Sequence, residues 1–230
     1  MSTKYTLTGD YKISGFLGSI ASSGGVSSSN LYEAKFEFDN AFNKDLIKSM
    51  DFVGFSGFTG SDKAYTALTL LCEEASLPGI QAMTGQTTGV YMGEGQINYA
   101  HTKSYTDITL GWTCDANLLP VKFLNKWSGF IFGEDANTTT KTTGRYRINR
   151  VRYPEEYQAT LKIVKAERGK DNSLQGVGGI YTLYDIFPYS VQSTPLSYGA
   201  STLLKVTASF YYRRWDFEYI NVTTVRPNIK

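Results

Sequence analysis

The feature that most constrains this chain is a period-two alternation of apolar and polar residues that returns in segment after segment. Across residues 31–38, Tyr32, Ala34, Phe36 and Phe38 fall on one side, and Glu33, Lys35 and Glu37 on the other. Successive side chains of an extended chain point to opposite faces, so this pattern predicts a strand with one buried face. The same reading predicts a short apolar strand at 68–72, closed by a turn through Pro78 and Gly79, and an alternating strand from Gln96. A third strand is expected at 105–114, with Ile108, Leu110 and Trp112 facing one way, and residues 101–104 read as the hairpin turn before it. Strands follow at 157–166, 179–187 and 201–212, the last with Leu204, Val206, Ala208, Phe210 and Tyr212 on one face. Seventeen Tyr and 13 Phe agree with half-buried pleated surfaces.

One segment breaks to helical spacing. Val121, Leu124 and Trp127, and likewise Phe123, Trp127 and Phe130, recur at three and four residues, with Lys122 and Lys126 on the polar side. Asp115 or Asn117 can cap this helix, Pro120 suits its first turn, and Gly129 or Gly133 ends it. About seven or eight strands and one helix predict a mainly β fold, an antiparallel β-sandwich or barrel with one flanking α-helix. A Gly/Ser stretch at 15–30 reads as an arm or linker. The expected organisation is an N-terminal arm at 1–29, a β domain at 30–215 with an insertion at 39–64, and a C-terminal tail at 216–230.

Chemistry is sparse. The single histidine, His101, sits in the expected turn, and there is no Gly-x-Ser-x-Gly elbow, so a Ser-His-Asp arrangement has nowhere to form. One His and two distant Cys do not make a His/Cys zinc site. Glu73-Glu74 and Glu155-Glu156 are adjacent pairs whose members would point to opposite faces of a strand. The turn Gly93-Glu94-Gly95 lacks the following helix that a phosphate site needs. We therefore expect no enzyme, no cofactor and no metal. Cys72 and Cys114 lie in apolar runs and read as buried free thiols, with a single disulfide open as an alternative. The first ten residues carry no apolar signal region and no stretch reaches the roughly 18 apolar residues of a membrane helix, which leads us to expect synthesis in a cytoplasm. Sequons at Asn137 and Asn221 then carry little meaning.

Two features point outward. Phe52, Phe55 and Phe58 are spaced by glycines in a loop-like stretch, and such rings either fold back on the core or are covered by a neighbouring subunit. Arg145, Arg147, Arg150 and Arg152 are interleaved with Tyr146 and Tyr153. They fit a mixed-charge loop with Glu155 and Glu156, pairing with carboxylates of a neighbouring subunit, or stacking and phosphate contacts on nucleic acid. A net charge of +2 argues against a dedicated duplex binder.

The order of motifs resembles contractile-phage tail tube proteins. Asn30-Leu31-Tyr32 opens the first strand as in that family, and Leu71-Cys72 with Ala75-Ser76-Leu77-Pro78 resembles its cysteine-then-Ala-x-x-Leu-Pro signature. Tyr105 to Leu110, the helix end at Phe123 to Ser128, Tyr184-Asp185-Ile186-Phe187-Pro188 and a closing strand from Leu203 to Trp215 resemble the remaining landmarks in sequence order. The resemblance, which extends to type VI secretion tubes and baseplate tube-initiator proteins, implies hexameric rings with a continuous inner β-barrel, stacked into a tube for DNA passage. It implies self-association, sheath and baseplate partners, and a place in the virion tail after assembly in the host cytoplasm. The long arm, the 39–64 insertion and a Gly-rich loop at 169–179 depart from the family and would suit either a tube subunit or an initiator.

Overall fold

The computed structural model describes residues 17–18, 20, 26–38, 68–88, 95–133, 150–168, 174–192, 196, 198–199 and 203–219. In chain order they form β1 (Tyr32–Glu37), β2 (Cys72–Ala75), β3 (Ile80–Thr88), β4 (Gln96–Tyr105), β5 (Ile108–Thr113), α1 (Leu119–Ile131), α2 (Pro154–Tyr157), β6 (Ala159–Arg168), β7 (Leu174–Val191), β8 (Lys205–Tyr211) and β9 (Arg214–Tyr219). The chain is mainly β, and every strand pairing is antiparallel. Seven strands run in the order β1-β6-β7-β8-β5-β2, with β9 pairing β7 beside that path, while β3 and β4 form a separate two-stranded ribbon.

β7 explains how one strand path encloses a core. Its first half pairs with β6 and β9, and its second half, from Phe187, pairs with β8. Between the halves Asp185 takes a left-handed backbone, φ 58°, and receives an ion pair from Arg213 at 2.6 Å. A single irregular residue bends the strand and re-aims it, so one strand serves two layers. The alternating segments then do as their pattern dictates. Ala34 and Phe36 of β1, Ile108, Leu110 and Trp112 of β5, and Val206, Ala208 and Phe210 of β8 are all buried.

α1 closes the core as its spacing predicts. Leu119, Phe123, Leu124, Trp127, Phe130 and Ile131 are buried. Asp115 Oδ1 accepts from the Leu119 amide at 2.7 Å, Pro120 lies in the first turn, and Gly133 follows the last turn at φ 71°. Phe36 stands at the centre of an aromatic cluster, with ring centroids of Trp127, Phe210, Phe123 and Trp112 between 5.5 and 6.4 Å away. Trp127 donates its indole N–H to the Tyr157 carbonyl at 2.9 Å, which satisfies the polar edge of a buried ring.

Several expectations are corrected. Residues 68–70 are helical, with Leu68 buried and Leu70 exposed, so the strand begins only at Cys72. Residues 101–104 lie inside β4, and the link to β5 is Thr106-Asp107. β3 was not anticipated. The expected Gly-rich loop at 169–179 is largely strand, because β7 starts at Leu174 and pairs back along β6. The closing strand expected to reach Trp215 breaks at Tyr212-Arg213 into β8 and β9, and β9 carries the sheet to Tyr219, inside the expected tail. Glu155 and Glu156 lie on the one-turn helix α2 instead of a strand. At the other end, Ser27 Oγ donates to Glu167 on β6, so the arm is tied to the sheet where it meets β1. Among the described residues no helix is long and apolar enough to cross a membrane.

Candidate assembly surface

Phe52, Phe55, Phe58, Arg145 and Arg147 lie outside the described residues. Arg150 is exposed, and its carbonyl packs against Gly133. Arg152 is engaged within the chain. Its guanidinium lies over the Phe130 ring at 4.0 Å, its Nε donates to the Phe130 carbonyl at 3.1 Å, and it pairs with Glu156 at 3.2 Å. It therefore adds a second donor to the Phe130 carbonyl, which also accepts from the Gly133 amide, and places a cation where the helix dipole is negative. The mixed-charge reading of this stretch describes Arg152 well.

The surfaces that stand open are elsewhere. The β3–β4 ribbon extends from β2 and β5 past Ser76–Gly79 on one side and Thr106-Asp107 on the other. Gly79 is needed at that junction, since a Cβ there would sit 2.7 Å from Thr106 Oγ1. Tyr105 and Tyr212 pack at 5.8 Å, and Tyr212 Oη donates to the Gly79 carbonyl at 3.5 Å, anchoring the ribbon base to the end of β8. Beyond the base nearly every ribbon residue is exposed on both faces. Ile80, Met83, Ile97 and Tyr99 are each about half exposed. His101 is the extra residue of a bulge, because Met83 pairs with Thr102 and Thr84 with Ala100. The bulge puts Tyr99 and Ile97 on one face with Met83, and Lys103 on the other with Ala82.

β9 presents the second open surface. Across the sheet the register aligns Phe36, Leu161, Leu183 and Trp215 in one row, Ala34, Ile163, Tyr181 and Phe217 in the next, and Tyr32, Lys165, Gly179 and Tyr219 in the third. The first row is core. Along β9 exposure rises from Trp215, which is half-buried, to Phe217 at 42% and Tyr219 at 77%. Gly179 makes room for the Phe217 ring, which a Cβ would meet at 2.5 Å. Trp215 Nε1 is buried and has no hydrogen-bond partner among the described residues. The opposite face of β9 carries Arg214, Asp216 and Glu218, and Arg214 stacks on Tyr184 at 4.7 Å. Near the third row, burial pushes the Cys72 thiol up to about 11 and the Tyr32 phenol up to about 12, which keeps both neutral at physiological pH. Both cysteines are free and partly buried. The alternation Arg214, Trp215, Asp216, Phe217, Glu218, Tyr219 was a legible strand signal. β3, with IQAMTGQTT, offers no apolar face to read.

The fold is mainly β, and among the described residues its open features are strand edges and aromatic rows. A family profile described as phage tail tube protein matches residues 27–218, and the chain belongs to that family of structural tube proteins. A chain in the six-fold symmetrised structure of the anti-feeding prophage baseplate superposes with a TM-score of 0.50 at 12% identity, covering 85% of this chain and 97% of that one. A chain in the extended sheath–tube complex of an extracellular contractile injection system gives 0.48 at 9% identity, covering 85% and 93%. A crystal structure of Hcp protein gives 0.43 at 8% identity, covering 83% and 99%. The first of these agrees with the fold described above. No curated protein matches the chain.

Proposed function

We propose that the chain is the structural subunit of a phage tail tube, forming stacked hexameric rings around a channel through which DNA passes during ejection. Family membership over residues 27–218 carries this reading. Physical support comes from the strand edges. β3 and β4 expose nine- and ten-residue strands in a ribbon of only two, and such a ribbon is marginal alone and prone to pair with another chain. A closed ring removes those edges, because head-to-tail contacts close when their rotation divides the circle. Sheath and baseplate proteins are the partners that such a tube requires, and the assembled particle is the virion tail.

Negative-stain images of the purified full chain test this directly. Rings of uniform diameter or hollow filaments are the expected result, and a monomer that persists at high concentration would sink the proposal. A particle that caps at one ring without propagating would move the identity to a baseplate tube initiator of the same fold.

A further inference from the structure

Strand β9 is a sheet edge. Among the described residues it pairs with β7 on one side and has no strand on the other, and β4 likewise pairs only with β3. Each edge presents unpaired backbone N–H and C=O groups along its length. The two edges also match in the chemistry of their faces. β9 has Phe217 and Tyr219 on one face and, on the other, the carboxylates of Asp216 and Glu218 next to Arg214, whose guanidinium is stacked on Tyr184. β4 has Ile97 and Tyr99 on one face and, through the bulge at His101, the ammonium of Lys103 on the other.

Neither β3 nor β4 contains an Asp or Glu, and the Lys103 ammonium lies over the ring of Tyr105 at 4.7 Å. An extended strand laid in plane beside the C-terminal half of β9 therefore meets aromatics on one face and the carboxylates of Asp216 and Glu218 on the other. β4 is apolar on one face and basic on the other, so a single orientation satisfies both at once. Side chains on paired strands interact with the residues beside them on the same face, which is what makes such a match selective.

We propose that β4 of one copy of this chain adds to the free edge of β9 in a second copy. The contact seats Tyr99 and Ile97 beside Phe217 and Tyr219, and Lys103 beside Asp216 and Glu218. It is heterologous, since each copy uses its ribbon on one neighbour and its β9 on the other, and so it generates a ring or a filament and not an isolated dimer. This assignment rests on the tube reading and names the surfaces that build it.

The test mixes two full-length variants, Tyr99→Cys and Phe217→Cys, under a short thiol cross-linker. A covalent dimer in the mixture, beyond what either variant gives alone with its native Cys72 and Cys114, is the expected result. In parallel, Lys103→Glu should lower the assembled fraction about tenfold or more, and the further change Glu218→Lys should restore it. Both positions are exposed, and a native far-UV circular dichroism spectrum of each variant separates lost assembly from lost folding. Wild-type rings with no mixed cross-link and no charge-swap rescue would overturn this contact and leave the tube reading standing. A wild-type chain that stays monomeric at high concentration would overturn both.

Discussion

At the scale of single residues, two positions carry consequences that a stability measurement can read. Gly133 takes φ 71°, and a Cβ there would stand 2.7 Å from the Arg150 carbonyl oxygen. Gly133→Ala combines left-handed strain with a backbone collision, and a loss of about 1–3 kcal/mol in urea denaturation is expected. Cys72 and Tyr32 respond to pH. Burial raises the thiol from 9.0 to about 11 and the phenol from 10.0 to about 12, with the nearby Cys72 adding to the shift of Tyr32. The folded chain keeps these protons where the unfolded chain has released them. Their contribution is whole below pH 9.0 and is lost as pH rises toward about 12. The urea midpoint should hold steady from neutral pH up to that threshold and fall above it, with a shallower fall in Cys72→Ser. A midpoint that rises above pH 9.0 would contradict this sign.

Elements differ in how much of their hydrogen bonding the core protects. β5 and β8 bury Ile108, Leu110, Trp112, Val206, Ala208 and Phe210, and each is flanked by strands on both sides. The β3–β4 ribbon has the same antiparallel ladder, but its residues are exposed and, among the described residues, no strand lies at either outer edge. Local opening of the ribbon need not expose the core, so its amides should exchange with deuterium far faster than those of β5 and β8 in the isolated chain. Assembly should slow exchange in β4 and β9 together if these strands pair between copies. Equal protection of ribbon and core strands in the monomer would show that the ribbon is covered some other way.

For the whole molecule, the balance of charge sets what the chain does with DNA. With 23 Lys and Arg against 21 Asp and Glu, it lacks the basic excess that drives non-specific duplex binding. Arg152 is further occupied by Phe130 and Glu156. Purified subunits should show no salt-sensitive retention on duplex DNA in a filter assay at physiological ionic strength. Strong retention abolished by Arg147→Ala together with Arg150→Ala would instead assign the arginine segment to nucleic acid. A conduit for DNA is better served by weak contact than by tight binding, so this outcome agrees with the tube reading.

Much of the fold was legible residue by residue. The faces of β1, β5 and β8 and the helical stripe of α1 are written by local spacing, because each packs against one core and polarity alone tells inside from outside. The shortage of catalytic groups and the serial order of motifs leading to the tail tube family could also be read without coordinates. What local spacing could not supply was pairing. β3 has no buried face, so its strand identity comes from β4 opposite it, whereas the alternation past Trp215 is legible in β9 and only its partner, β7, is not. The pairing of Arg152 with Glu156 is among the readings of its charge pattern, but its seat against the end of α1 comes only from the fold. The alternation that first constrained the chain thus determined which faces are buried. Only the tertiary structure decided which edges remain open, because a strand's edges are settled by partners distant in the chain and leave no mark in local sequence.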